Sequence, residues 1–139
     1  MTDTPKDDML EVATRDSLRH YLELEAILDC VSTGIIVVNA GNIFLMNREA
    51  EYILGYSRSE LKGKSIETVV PESKRGKHKT DRSGYEKEPR DRPMAANLDI
   101  EAQRKDGEMI QLKIDLRSYI SPDTGLMTVG NLFRKIRSG

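Results

Sequence analysis

With two histidines, one cysteine and no tryptophan, this 139-residue sequence offers few side chains able to do chemistry. His78 is the first of them. A neutral imidazole is a good axial donor to iron, provided apolar walls keep the metal centre dry. Here it stands among Lys74, Arg75, Lys77 and Lys79, a setting that equally suits a solvated histidine. His20, beside Arg19 and Tyr21, reads as a surface or interface residue. Cys30 has no partner for a disulfide and no neighbours with zinc-ligand spacing, so it reads as a small buried hydrophobe in a reducing, cytoplasmic setting. The basic run from Lys74 to Arg82 has the cations to displace counterions from a polyanion. Only Tyr85 is near enough to stack and acids interrupt the run, so it reads as a solvated loop. Asp106 and Glu108 fall in a turn, where polar residues belong in any case. No nucleophile elbow, phosphate-cradling glycine loop or metal-ligand spacing occurs, and the chain reads as a non-enzyme.

The elements that must position these residues belong to one domain with a short appendage, as expected at this length. The 37% hydrophobic and 32% charged content is that of an ordinary folded protein. No apolar run approaches the roughly 18 residues of a membrane span. The opening MTDTPKDDM is acidic where an export signal would be basic and then apolar. A net charge of −1 conceals polarity: residues 1–29 hold eight acids and three bases, residues 74–92 eight bases and four acids. This pattern can orient self-association, but lacks the field of a dedicated nucleic-acid binder.

Residues 7–31 contain neither proline nor glycine, and Tyr21, Leu24, Leu28 and Val31 recur at helical spacing beside Leu18, Leu22 and Ile27. The spacing predicts a helix with a wide apolar stripe. The run 34–39, a turn at Ala40-Gly41-Asn42 and the run 43–46 predict a β-hairpin. Asn47 is placed to cap a helix that Gly55 ends, and Ser57-Arg58-Ser59-Glu60 has the form of a capping box for a second short helix. Ser65 can cap a third turn, stopped by Pro71. Residues 72–93, with Pro89 and Pro93, read as a mobile helix or loop. Leu98, Ile100 and Ala102, then Ile110, Leu112, Ile114 and Leu116, alternate with polar residues around Lys105-Asp106-Gly107. A last strand runs from Leu126 to Ile136. Tight turns make these three strands antiparallel neighbours, giving a five-stranded sheet with one polar face and one face roofed by helices.

The run Asn47-Arg48-Glu49-Ala50-Glu51-Tyr52-Ile53-Leu54-Gly55-Tyr56-Ser57, followed by Glu60-Leu61-Lys62-Gly63-Lys64, resembles the N-x-x-A-x-x-x-x-G-Y-S-x-x-E-L-x-G-K core of the PAS family. Arg104-Lys105-Asp106-Gly107 is similar to that family's R-K-D-G hairpin, and the likeness runs over about residues 24–136. It implies an α+β fold: a five-stranded antiparallel sheet in the order 2-1-5-4-3, short helices on one face and an N-terminal flanking helix. Residues 1–31 would form that flanking segment and 32–137 the PAS domain. Light-sensing members carry a cysteine where Ile66 stands here, so a flavin–cysteinyl photocycle is excluded. Oxygen-sensing haem members carry P-E-x-x-R-x-x-H, the form of Pro71 to His78, with a distal arginine where Leu98 stands. Signalling members end the last strand in D-I-T, where this chain has Lys135 for the aspartate.

The resemblance thus implies a cytoplasmic, non-catalytic sensory and signalling module with no bound cofactor. The alternatives are a gas or redox sensor holding haem b through His78, and a nucleic-acid adaptor using loop 74–82. The expected cavity wall is Ile36, Val38, Ile53, Leu54, Ile66, Leu98, Ile100, Leu112, Ile114 and Leu116. A homodimer would form through Leu18, Tyr21, Leu22, Leu24 and Leu28, and a histidine kinase or transcription regulator would be the protein partner.

Overall fold

A computed structural model of the chain describes the backbone of residues 5–86 and 93–135, and the side chains of residue 12, residues 14–81 and residues 98–135. Helix α1 (Pro5–Asp29) is followed by strands β1 (Gly34–Asn39) and β2 (Asn42–Met46). Two short helices, α2 (Arg48–Leu54) and α3 (Arg58–Leu61), and two 3-10 turns (Ile66–Val69 and Glu72–Lys74) lead to α4 (Arg75–Glu86). Strands β3 (Pro93–Gln103), β4 (Met109–Ser121) and β5 (Gly125–Arg134) complete a sheet in the order β2-β1-β5-β4-β3. All four strand pairings are antiparallel.

Local signals account for most of these boundaries. The β1–β2 turn takes positive φ at both central residues, Ala40 at 49° and Gly41 at 81°, matching the twist of the strands. The outer edge of β2 is covered by the chain that follows α3: Gly63 N–H donates to Ile43 O, and Ile43 N–H to Lys64 O. Ser57 and Glu60 form the reciprocal capping box, and the Ser65 side chain caps the 66–69 turn. Gly55 ends α2 with φ 75°. The Arg104-Lys105-Asp106-Gly107 hairpin completes that end of α2. Arg104 Nη1 donates to Tyr52 O (3.1 Å) and Ile53 O (2.8 Å), Lys105 N–H donates to Leu54 O, and Lys105 Nζ pairs with Glu60. The two sequence motifs are therefore one structural unit, with cations on the carbonyl end of a helix.

The main core lies between the sheet and the helices, around Ile36, Ile43, Met46, Leu54, Leu61, Leu112 and Leu132. A second cluster corrects the expectation of one polar face. Val37, Leu45 and Met127, with Ile35, Val129 and Leu28 of α1, pack on the opposite side of β1, β2 and β5. This is why β1 reads as an unbroken apolar run: it is covered on both faces. The opposite face is polar across β3 and β4, where Asp99 pairs with Lys113 and Glu101 with Gln111.

The first half of the 72–93 segment is a 3-10 turn and α4, while residues 87–92, including Pro89, lie outside the described residues. The last strand ends at Arg134, and Ile136 is likewise outside them. Cys30 is exposed where burial was expected. It lies just past α1, in the turn that carries the chain into β1.

Candidate functional site

The helical segment that ends in α4 stands off from the sheet and leaves a hollow of about 730 Å³. That volume is within the roughly 300–1,000 Å³ of small-molecule sites. Inner-face side chains of β1, β4 and β5 form its floor, including Ile36, Val38, Leu112, Ile114, Leu116 and Leu132. Leu54, Ile66 and Val69 close it from the helical side, and Leu98 and Ile100 from β3. Gly130 sits in the middle of the floor, where an added Cβ would lie 3.1 Å from Ile36 and 3.2 Å from Ile114. Nine of the ten residues expected in the wall border the hollow. Ile53 does not: its Cδ1 packs toward Gly34, where α2 lies closest to β1.

Polar groups gather on one side. Lys74, Lys77, His78 and Asp81 approach from the helical segment, and Asp99, Glu101 and Gln111 from the sheet. Lys74 Nζ is 3.5 Å from Glu101. Asp99 faces Lys135 at 3.0 Å and Lys113 at 3.7 Å, and the Lys135 hydrogen bond with these two charges holds its carboxyl below the usual range. His78 is not the free surface residue that its cationic surroundings suggested. Its Nδ1 lies 2.7 Å from Oε2 of Glu67, whose side chain is 12% exposed. Glu67 also accepts a hydrogen bond from Ser65 Oγ and does not border the hollow, so His78 stands between it and the cavity. Sequence reasoning missed this pair because the partners are eleven residues apart across the Pro71 turn. The basic run is partly structural, since Arg75 Nε donates to Val70 O at 2.8 Å. Among the described residues no cluster of His, Cys, Asp or Glu has metal-site geometry, and no helix is long and apolar enough to cross a membrane.

A second constellation ties α1 to the domain. The side chain of Asn47, fully buried, makes four hydrogen bonds: Oδ1 accepts from Ile35 N (2.8 Å) and Ala50 N (3.0 Å), and Nδ2 donates to Leu28 O (2.9 Å) and Thr33 O (3.0 Å). Arg58 lies between Glu51 and Asp29, 2.8 Å from each, with Glu25 at 3.6 Å. Burial pushes the Asp29 carboxyl up. Hydrogen bonds from Arg58 and from Arg48 N–H, with the two guanidinium charges, outweigh it and hold that carboxyl below the usual range. Lys62 sits over the Tyr21 ring at 5.4 Å and donates to its hydroxyl. Tyr21, Glu25, Leu28 and Asp29 thus face the chain's own domain. Of the five expected interface residues, Leu18, Leu22 and Leu24 are exposed, whereas Tyr21 and Leu28 are turned inward.

A curved antiparallel sheet closing over an apolar hollow, with a flanking helix tied to its far side, is the architecture of a sensory module. The model of the PAS fold matches residues 22–132, and the chain belongs to the PAS family of sensory and signalling domains. Among solved structures, it is similar to the PAS domain of an HTR-like protein from Haloarcula marismortui, with 20% identity and a TM-score of 0.70 over 90% of this chain and 99% of that one. It is similar also to the LOV protein of Rhodobacter sphaeroides, with 17% identity and a TM-score of 0.66 over 87% of this chain and 70% of that one. A third is the Escherichia coli DhaR(N)–DhaL complex, with 17% identity and a TM-score of 0.66 over 91% of this chain and 40% of that one. At these identities the likeness is one of fold. No curated protein matches the chain in sequence.

Proposed function

We propose that the domain is a non-catalytic sensor that holds a small, largely apolar ligand between β1, β4, β5 and the 66–78 segment, and signals as a homodimer. The observation that carries this reading is the hollow of about 730 Å³, whose floor and walls are aliphatic and whose polar groups lie on one side. An apolar enclosure with a few convergent polar groups is the usual form of a small-molecule site. Mass spectrometry of organic extracts of the purified protein, with thermal melts before and after extraction, tests it. A stoichiometric small molecule whose removal lowers Tm supports the reading, and a protein that binds nothing and melts unchanged refutes it.

The dimer surface belongs to the same proposal. Leu24 (49% exposed) and Ile27 (63%) lie three residues apart on α1, away from the Arg58 clamp; Val31 (37%) follows just past the helix, and Leu18 and Leu22 are also bare. A stripe like this is more than a soluble monomer ordinarily leaves uncovered, and a twofold axis lets it serve both copies. Leu24→Glu with Ile27→Glu should convert the dimer to a monomer in light scattering. An unchanged mass would remove α1 from the interface. A chain of the DhaR(N)–DhaL complex shares the fold and is solved with a protein partner, and a signalling protein such as a histidine kinase or transcription regulator is the corresponding partner proposed here.

His78 favours one further reading. Its Nδ1 is held by Glu67, it borders an aliphatic hollow, and Lys74 and Lys77 lie at the rim. These groups fit haem in kind: the imidazole as axial donor, the lysines against the propionates, and the iron supplying gas binding or one-electron chemistry. Leu98 provides no polar group opposite. A stable Soret band on adding haem, abolished by His78→Ala, would establish this reading, and its absence would leave the colourless sensor.

A further inference from the structure

The Glu67–His78 pair carries information about the ligand that the aliphatic wall does not, and the inference rests on the ligand-site reading above. A carboxylate can only accept, so across the 2.7 Å contact Nδ1 carries the ring N–H and donates it to Glu67. In the neutral ring the other nitrogen, Nε2, then presents a lone pair. Nε2 has no protein partner among the described residues, and His78 borders the hollow. Of the other charged groups at the hollow, Lys74 is paired with Glu101, and Asp99 with Lys113 and Lys135 on the far face of the sheet; Lys77 and Asp81 also border it. The His78 side chain is 42% exposed, so water serves Nε2 while the hollow is empty; a ligand that displaces that water gains most if it brings a donor of its own to Nε2.

The geometry points to an apolar ligand bearing a weakly acidic hydroxyl, of the phenol class, that donates its O–H to Nε2 of His78 while its hydrocarbon body lies against Ile36, Leu112, Ile114 and Leu132. Glu67 is a positioning residue. It does not touch the ligand and acts by holding the imidazole in the accepting tautomer.

The test compares 4-phenylphenol with 4-methoxybiphenyl, which differs only in lacking the donor, by calorimetric titration of the full chain. Wild type should prefer the phenol by roughly tenfold, equivalent to about 1.4 kcal/mol. His78→Leu should abolish the preference while leaving the ether's affinity within about twofold. Glu67→Gln keeps His78; Ser65 Oγ donates to Oε1, so the amide oxygen takes that place, the amide N–H faces Nδ1, and the imidazole proton moves to Nε2. An N–H there serves an ether oxygen as well as a phenol, so the preference should collapse in this variant too, whether or not His78→Leu folds. Equal binding of both probes by wild type, or a preference that survives either substitution, overturns the hydroxyl proposal alone. Failure of both probes to bind wild type overturns the ligand-site reading with it.

Discussion

Asn47→Ala removes one side chain that holds three elements together, and its cost can be built from the four hydrogen bonds it makes. Loss of the N-cap bond to Ala50 N–H costs about 1 kcal/mol. Ile35 N–H, at the start of β1, loses its acceptor in a part-buried site, worth about 1–2 kcal/mol. Thr33 O loses a donor, for about 1 kcal/mol. Leu28 O keeps the Val31 N–H and adds little. The sum is about 3–4 kcal/mol, a large part of the roughly 5–15 kcal/mol that stabilises a domain. Urea unfolding followed by circular dichroism measures it. Asn47→Ser separates the parts, because a hydroxyl can still cap Ala50 N–H but cannot reach Leu28 and Thr33. It should recover about 1 kcal/mol. If Asn47→Ala costs under about 1 kcal/mol, or Asn47→Ser restores full stability, only the cap matters. The argument that Asn47 fastens α1 and β1 to α2 would then fail.

The Asp29 carboxyl is held low in the folded state, so its contribution is complete above the ordinary Asp value of about 4 and is lost as pH falls through the lower folded value. Arg58→Ala should flatten that acid limb of the stability curve and cost about 1–3 kcal/mol at neutral pH in the same denaturation assay. At Gly34 an added Cβ would meet Ile53 Cδ1 at 3.1 Å and both Ala50 Cα and Leu132 Cβ at 3.2 Å. Gly34→Ala should therefore destabilise by about 1–3 kcal/mol. Ile114→Ala, on the cavity floor, should cost about 2–4 kcal/mol, and Lys113→Ala, on the other face, less than about 0.5. Equal effects at the two positions would contradict the β4 register. Ala40 holds φ at 49°, so Ala40→Asn should raise Tm, a gain of about 0.5–1 kcal/mol.

Legibility in the sequence followed the range of the interaction. The cap at Asn47, the capping box at Ser57, the left-handed Gly55 and the alternation of β4 each depend on residues within a few positions, and each was readable. The strand order came from a resemblance, because nothing local tells β5 to enter between β1 and β4. The second apolar cluster was missed because a continuous run such as Ile35 to Val38 marks a strand without saying what covers its far face. The same lack of long-range information put Tyr21 and Leu28 on an outward stripe, since their partners, Lys62 and the sheet, are remote in sequence. Three of the four bonds of Asn47, and the carboxylate behind His78, were hidden for that reason too.

The central position of β5 governs the order of assembly. Gly130 must meet Ile36 before the sheet is whole, and each of the two hairpin systems it joins has until then an open edge. Closing a loop of about 90 residues costs roughly 4 kcal/mol in chain entropy, a sum recovered only once β5 is seated on both sides. Folding should therefore be slow for a domain of this size and limited by that one encounter. During synthesis the chain can cap its short helices early, but the floor of the hollow cannot exist until residues 125–134 have left the ribosome.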